Sequence, residues 1–392
     1  MQGKRIIHNI QLRDLLSFGS QSPLVELQPL NVLIGPNSSG KSNFIEAIRL
    51  LSYLPENLEN PLLFGGGIDE YHWKGERLVT PEIQVNIDWK PENPLTYYLR
   101  FMAEESSLYF IEEYLGASPF DSPPEPIYQL FNNGSSQLFF KEEVAEKIIE
   151  YKREDISPKK NQSILSQLKD PIRYPAFSYL QEILPKIQFY EKLDTGRFSG
   201  LRQSQKINAL SSQLLEDGSN LVVSLINQPA SLRQKITDKL RTVFPTVEEI
   251  RPKIEGGRAR LFIREKRFAT ETPAERLSEG ALRYLCLLTL LLDPDPPPII
   301  CIEEPETGLH PHAISQIAEL LIDASQRTQL IVTTHSDALI SGLSECPEAI
   351  ITCERDDEGT KLRRLDPEQI KPWLDRYALG DLWRMGEIGG VR

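Results

Sequence analysis

The chain has 392 residues and a net charge of −12, from 44 Lys plus Arg against 56 Asp plus Glu. With 40% hydrophobic and 26% charged residues it can bury a large core, which excludes a chain disordered in bulk. The negative balance excludes a protein that coats nucleic acid or an anionic membrane through its overall field, but not one with a local basic patch.

Ile6 to Leu12 predicts a first strand, and the apolar run Leu30 to Ile34 a second. Ser42 to Leu54 then puts Phe44, Ile45, Ile48, Leu51 and Leu54 on one helical face, closed by Pro55. Ile83, Val85, Ile87 and Trp89 alternate with polar residues, the period of a half-buried strand. Leu95 to Met102 and Leu108 to Tyr114 predict further strands, with turn clusters over Pro119–Pro126 and at Asn132-Asn-Gly. Residues 141–170 are charged and predict helix broken at Pro158, without the sustained heptads of a long coiled coil. Short helices are expected near 177–184, 217–227 and 231–242, and a hairpin over Val247–Phe268 around Gly256-Gly257. An α/β alternation follows: helix 279–292, strand Ile299–Ile302, helix 312–325, strand Leu330–Thr334 and strand Ala349–Thr352. Its apolar strands fit a sheet buried on both faces.

No segment holds the roughly 18 uninterrupted apolar residues of a membrane span. The N-terminus has no long apolar stretch either, so a secretory signal is not expected and a cytoplasmic location is. Cys286, Cys301, Cys346 and Cys353 form no Cys-x-x-Cys pair and read as core thiols in a reducing compartment.

The chemistry begins at Gly35-Pro36-Asn37-Ser38-Ser39-Gly40-Lys41-Ser42, which matches Gly-x4-Gly-Lys-Ser between a strand and a helix that continues with Asn43. Its glycines let the backbone curl so that N–H groups converge on phosphate oxygens, and the helix N-terminus adds its positive end. Lys41 is expected to reach the β- and γ-phosphates of ATP, and Ser42 to hold Mg²⁺. Downstream, Ile299–Ile302 ends in two carboxylates. Glu303 suits coordination of Mg²⁺, and Glu304 suits a base that polarises the attacking water. Leu277-Ser278-Glu279-Gly280 is a capped helix start and a second clamp for a γ-phosphate. His335 follows a strand, at the carboxyl end where α/β ligand sites lie.

Together with Glu303-Glu-Pro-Glu-Thr-Gly-Leu-His-Pro311 and Thr334-His-Ser336, these segments resemble the head of an ABC-type ATPase. The pattern is most similar to the RecF-like and structural-maintenance-of-chromosomes-like group, including the ATPase part of overcoming-lysogenization-defect nucleases. The resemblance implies an α/β P-loop NTPase fold: a mixed or parallel core sheet, an antiparallel β lobe and an inserted helical region. It divides one head over 1–392 into an N-terminal lobe to residue 140, an insert over 141–245 and a C-terminal lobe over 246–392. It also implies a homodimer sandwiching two ATP molecules. Each site would combine Lys41, Ser42, Glu303, Glu304 and His335 of one chain with the partner's Ser278 and Gly280, and Glu306–His310 would cross the interface.

The sequence departs from that pattern in several places. Glu303 stands where many such proteins have Asp, and the serine loop reads Ser-Glu-Gly instead of Ser-Gly-Gly. The Mg²⁺-sensing glutamine has three candidates, Gln188, Gln203 and Gln205. About 235 residues separate the phosphate loop from the serine loop, too many for a compact transporter cassette. That cassette is one alternative function; a nucleotide-gated binding module with little turnover is the other.

Arg251 to Arg267 carries seven basic residues against two acidic ones, with Arg258, Arg260, Arg264 and Lys266 on one face of a strand. They pair with acidic neighbours or form a phosphate-tracking surface for DNA or RNA. The tail Leu379–Gly390 holds Leu382, Trp383, Met385 and Ile388, too apolar for a free terminus and expected to pack on the chain's own core. Because no nuclease domain follows, a separately encoded effector such as a nuclease is the expected partner, in anti-phage defence or DNA repair.

Overall fold

The computed structural model describes residues 3–75, 79–90, 93–104, 107–117, 125–130, 135–144, 148–156, 158–207 and 213–389. The turns expected over 119–126 and at 132–134 lie outside these, except Glu125 and Pro126, which open a strand, and so does the last residue of the tail, Gly390.

Leu30–Ile34 is buried at every position because it has strands on both sides and cores on both faces. It belongs to a six-stranded sheet in the order Gln188–Tyr190, Ile299–Glu303, Gln329–Thr334, Leu30–Ile34, Ile350–Asp356, Gly359–Arg364. The first five run parallel, and the sixth is antiparallel to the fifth. A parallel sheet covered on both faces wants apolar strands, and Ile299–Ile302 and Leu330–Val332 are continuous apolar runs. Leu30, Val32, Ile302 and Val332 face a core shared with the helices Glu279–Leu291 and Pro311–Ala324. Leu33, Cys301, Ile331 and Ile351 face a second core, shared with the helix Lys41–Tyr53 and an antiparallel lobe.

That lobe is an eight-stranded sheet. Its order is Val25–Glu26, Ile7–Arg13, Glu82–Lys90, Asn93–Glu104, Ser107–Ala117, Glu125–Leu130, Ser136–Val144, Ile148–Ile156. Ile83, Val85 and Ile87 point inward as their alternation predicts. The helix expected over 141–170 is overturned. Residues 141–144 and 148–156 are paired strands, and the helix described in that stretch is only Ile164–Gln167. Ile148–Ile156 is an edge strand, held by backbone bonds to one neighbour and free of the apolar alternation that marks a half-buried strand. Its charged composition therefore reads as helix.

The hairpin Val247–Glu255/Arg258–Glu265 sits in a third sheet and turns on Gly256 and Gly257, with φ of 57° and 74°. Two consecutive positive φ values suit the twist of a two-residue hairpin loop. The tail folds into the helix Leu379–Met385 against Asp337–Ser341 and buries Leu379, Leu382, Trp383 and Ile388. Met385 departs from the expectation and is 56% exposed. All four cysteines are buried free thiols. No described helix is long and apolar enough to cross a membrane.

Candidate active site

The phosphate loop hangs from the carboxyl end of Leu30–Ile34 and runs into the helix Lys41–Tyr53. Gly40 adopts φ 104°, and a Cβ there would lie 2.2 Å from Thr360 Oγ1 and 2.7 Å from Ser17 Oγ. Those two hydroxyls are bonded to each other at 2.8 Å, and Thr360 also donates to the Ser39 carbonyl at 2.9 Å. Strand Gly359–Arg364 thus clamps the loop from behind, and only glycine fits the clamp. Ser38 takes φ 63°, and Ser39 Oγ is buried with no hydrogen-bond partner among the described residues. Among the described residues no side chain caps the helix, so its first N–H groups face the loop. Lys41 Nζ donates to the carbonyls of Gly35 and Pro36 at 2.9 and 2.8 Å, and burial draws its pKa below the usual lysine value. A curled backbone, an uncapped helix start and a braced ammonium fit a polyphosphate.

Two strands over, at the end of Ile299–Glu303, Ser42 Oγ donates to Glu303 Oε2 at 3.1 Å. Hydroxyl and carboxylate are hard oxygen donors of the kind Mg²⁺ takes, so the pair fits that ion. Burial pushes the Glu303 carboxyl up, and the Ser42 hydrogen bond opposes it. Glu304 adopts φ 42°, a left-handed backbone rare for a residue with a Cβ. Three contacts hold it there. Its N–H donates to the Thr333 carbonyl at 3.0 Å, Thr307 Oγ1 donates to its Oε2 at 3.2 Å, and Arg283 Nη2 donates to its carbonyl at 3.0 Å. His335 Nε2 lies 3.6 Å from Glu304 Oε1, and burial followed by the Lys41 charge lowers the imidazole pKa. The neighbouring Glu306 Oε1 accepts from Thr334 Oγ1 at 2.6 Å and from the His335 N–H at 2.9 Å, which fixes the turn carrying the imidazole.

Lys41, Ser42, Glu303, Glu304 and His335 therefore gather at the carboxyl ends of three adjacent parallel strands. Ser278 and Gly280 stand on another element. The Ser278 hydroxyl accepts from the Ala281 N–H and opens the helix Glu279–Leu291, while a Cβ on Gly280 would sit 3.0 Å from the Gly308 carbonyl. The serine loop is thus packed on the segment that follows Glu304.

None of the three glutamines bonds to this group among the described residues. Gln188 starts its strand, at the end away from the site, and accepts from Tyr190 OH at 2.5 Å. Gln203 and Gln205 donate to the Phe198 and Gly200 carbonyls. The strand instead ends beside Glu191, one step past the Tyr190–Ile302 pair and so next to Glu303. Arg49, on the phosphate-loop helix, donates to Glu191 at 2.7 Å and stacks 4.1 Å from the Phe189 ring. Sequence reasoning missed Glu191, Arg49 and Arg283. Arg283 left a trace, as the one charge in the apolar run from Ala281 to Leu292.

Two of the four basic side chains on the strand face, Arg260 and Arg264, pair with carboxylates. Arg260 pairs with Glu275 at 3.0 Å, Arg264 with Glu248 at 2.9 Å, and Arg258 donates to the Ser204 hydroxyl at 2.7 Å. Charge reversal of Arg260 and Arg264 should cost no more than about 1 kcal/mol per exposed pair, read by denaturant titration. Binding to a DNA or RNA oligonucleotide at low salt that falls in the same variants would make the strand an interface; unchanged binding removes it from that role.

Residues 30–341 match the family model described as "AAA domain, putative AbiEii toxin, Type IV TA system". The chain is 25% identical over 373 residues to the "Old nuclease" of Escherichia phage P2, covering 88% of this chain and 59% of that protein's length. In fold it is similar to an SMC head bound to the C-winged helix domain of ScpA, with TM-score 0.53 and 13% identity over 93% of this chain and 99% of the other. It is likewise similar to an Smc head with an extended coiled coil from Pyrococcus furiosus, with TM-score 0.51 and 12% identity over 94% and 98%.

Proposed function

The chain belongs to the family described as an AAA domain, putative AbiEii toxin of a Type IV TA system, and from that premise we propose that it hydrolyses ATP and that ATP-dependent pairing of two such chains gates an effector. The observation that carries the reading is the meeting of Lys41, Ser42, Glu303, Glu304 and His335 at three neighbouring strand ends. Lys41 and the uncapped helix N-terminus hold the β- and γ-phosphates. Ser42 and Glu303 would hold Mg²⁺, which when bound would neutralise charge on the phosphate oxygens. Glu304 accepts a proton from the water that attacks the γ-phosphorus, as the bond to the bridging oxygen breaks and ADP leaves. His335, kept neutral by burial, orients that carboxylate and the γ-phosphate.

The partner's Ser278 and Gly280 complete each site. The packing of Gly280 on Gly308 supports this, because it sets the serine loop beside the 306–310 segment of the same surface. Ser278→Arg should therefore abolish ATP-dependent dimerisation, seen by light scattering, and lower turnover by roughly 100-fold, since a charge would be buried at the interface. Nucleotide affinity of the dilute chain should stay unchanged. A variant that dimerises and hydrolyses like the wild type overturns the sandwich. Similarity to a nuclease, over 59% of that protein's length, supports a nuclease as the effector. Co-purification with the products of neighbouring genes tests it, and absence of any ATP-dependent partner counts against it.

A further inference from the structure

Arg202 is a buried arginine, 6% exposed, in the short 3-10 turn Gly200–Arg202. Among the described residues no carboxylate pairs with it. The hydrogen bonds its Nε and Nη1 make among the described residues all go to backbone carbonyls. Nε donates to Thr195 and Gly196, both at 3.0 Å, and Nη1 donates to Leu277 at 2.7 Å, Ala274 at 3.1 Å and Glu275 at 3.5 Å. A buried cation without a counter-charge is costly, so the arrangement persists only because the planar fork binds two loops at once.

The two loops are not equivalent. Thr195 and Gly196 lie just beyond Glu191, which ends the strand beside Glu303 and is tied to the phosphate-loop helix through Arg49. Leu277 immediately precedes Ser278, and the other bonded carbonyls lead into it. The fork therefore spans from the loop that leaves the chain's own metal-binding edge to the loop that cups the partner's γ-phosphate.

We propose that Arg202 is a positioning residue that holds the serine loop in register with the chain's own nucleotide site, so that ATP bound in one chain orients the serine loop offered to the other. The proposal rests on the ATP sandwich. A lysine keeps the charge but lacks the fork, and so fills only part of the role.

The test uses the full chain in the Glu304→Gln background, with Arg202→Lys and Arg202→Met added. Binding of a fluorescent ATP analogue is measured on dilute protein, and ATP-dependent dimerisation by sedimentation velocity. Nucleotide affinity should stay within roughly twofold, while dimerisation weakens by roughly tenfold or more, because charge-assisted hydrogen bonds to the serine loop are lost. Arg202→Lys should fall between parent and Arg202→Met. If the parent itself does not dimerise with ATP, the sandwich fails. If the parent and both variants dimerise equally, the sandwich stands and the role of Arg202 is overturned. Should Arg202→Met not fold, hydrogen exchange on the wild type decides. ATP binding to dilute protein should alter exchange across residues 274–280, and unchanged exchange there overturns the proposal.

Discussion

Glu304→Gln should lower ATP turnover by roughly 10²- to 10⁴-fold, the range for removing a general base, while nucleotide affinity is retained. The amide keeps the shape of the side chain and can still face Thr307 and His335, so the left-handed backbone at φ 42° has no reason to rearrange. What it cannot do is accept the proton of the attacking water. Binding then proceeds and hydrolysis does not, so ATP should hold two chains together instead of releasing them. Single-turnover phosphate release measures the first effect, and light scattering with ATP the second. Hydrolysis at the wild-type rate would sink the assignment of Glu304.

Lys41→Met should weaken ATP binding by roughly 100-fold or more, as expected when two or three hydrogen bonds from one ammonium are removed. The ammonium has three donors. Two brace the loop through the Gly35 and Pro36 carbonyls, and these can be exchanged for phosphate oxygens without moving the side chain far. Burial lowers the lysine pKa, while Glu304 and Glu303 draw it back up, so the two carboxylates help keep the charge. Methionine fills the space and offers no donor. Calorimetric titration with ATP reads the affinity, and a change of less than roughly threefold would show that the backbone alone holds the phosphates.

Much of the nucleotide sheet is legible from sequence because parallel strands buried on both faces leave continuous runs, and Leu30–Ile34 and Ile299–Glu303 are such runs. The phosphate loop is legible because the chemistry fixes its spacing, down to the glycine that a clamp from Thr360 requires. Contacts between distant segments left no such mark. Gln188–Tyr190 is too short to show a period, so the carboxylate that ends it, Glu191, could not be told from loop residues. The pairing of Arg264 and Arg260 was not legible in the sequence, because Glu248 comes opposite only when the hairpin forms and Glu275 only when the segment after it packs back on the strand. Charge along Ile148–Ile156 read as helix because an edge strand can be polar on both faces.

Leu30–Ile34 has its side chains divided between two cores, with Val32 turned to one and Leu33 to the other. Neither layer can melt by itself without exposing half of this strand to water. The two layers therefore share one unfolding event, although the chain is long enough to have held independent units. The phosphate loop, suspended from the wall between them, inherits the stability of both. Its rigidity is a property of the whole assembly of layers, and damage far out in either one should reach it as a change in cooperativity.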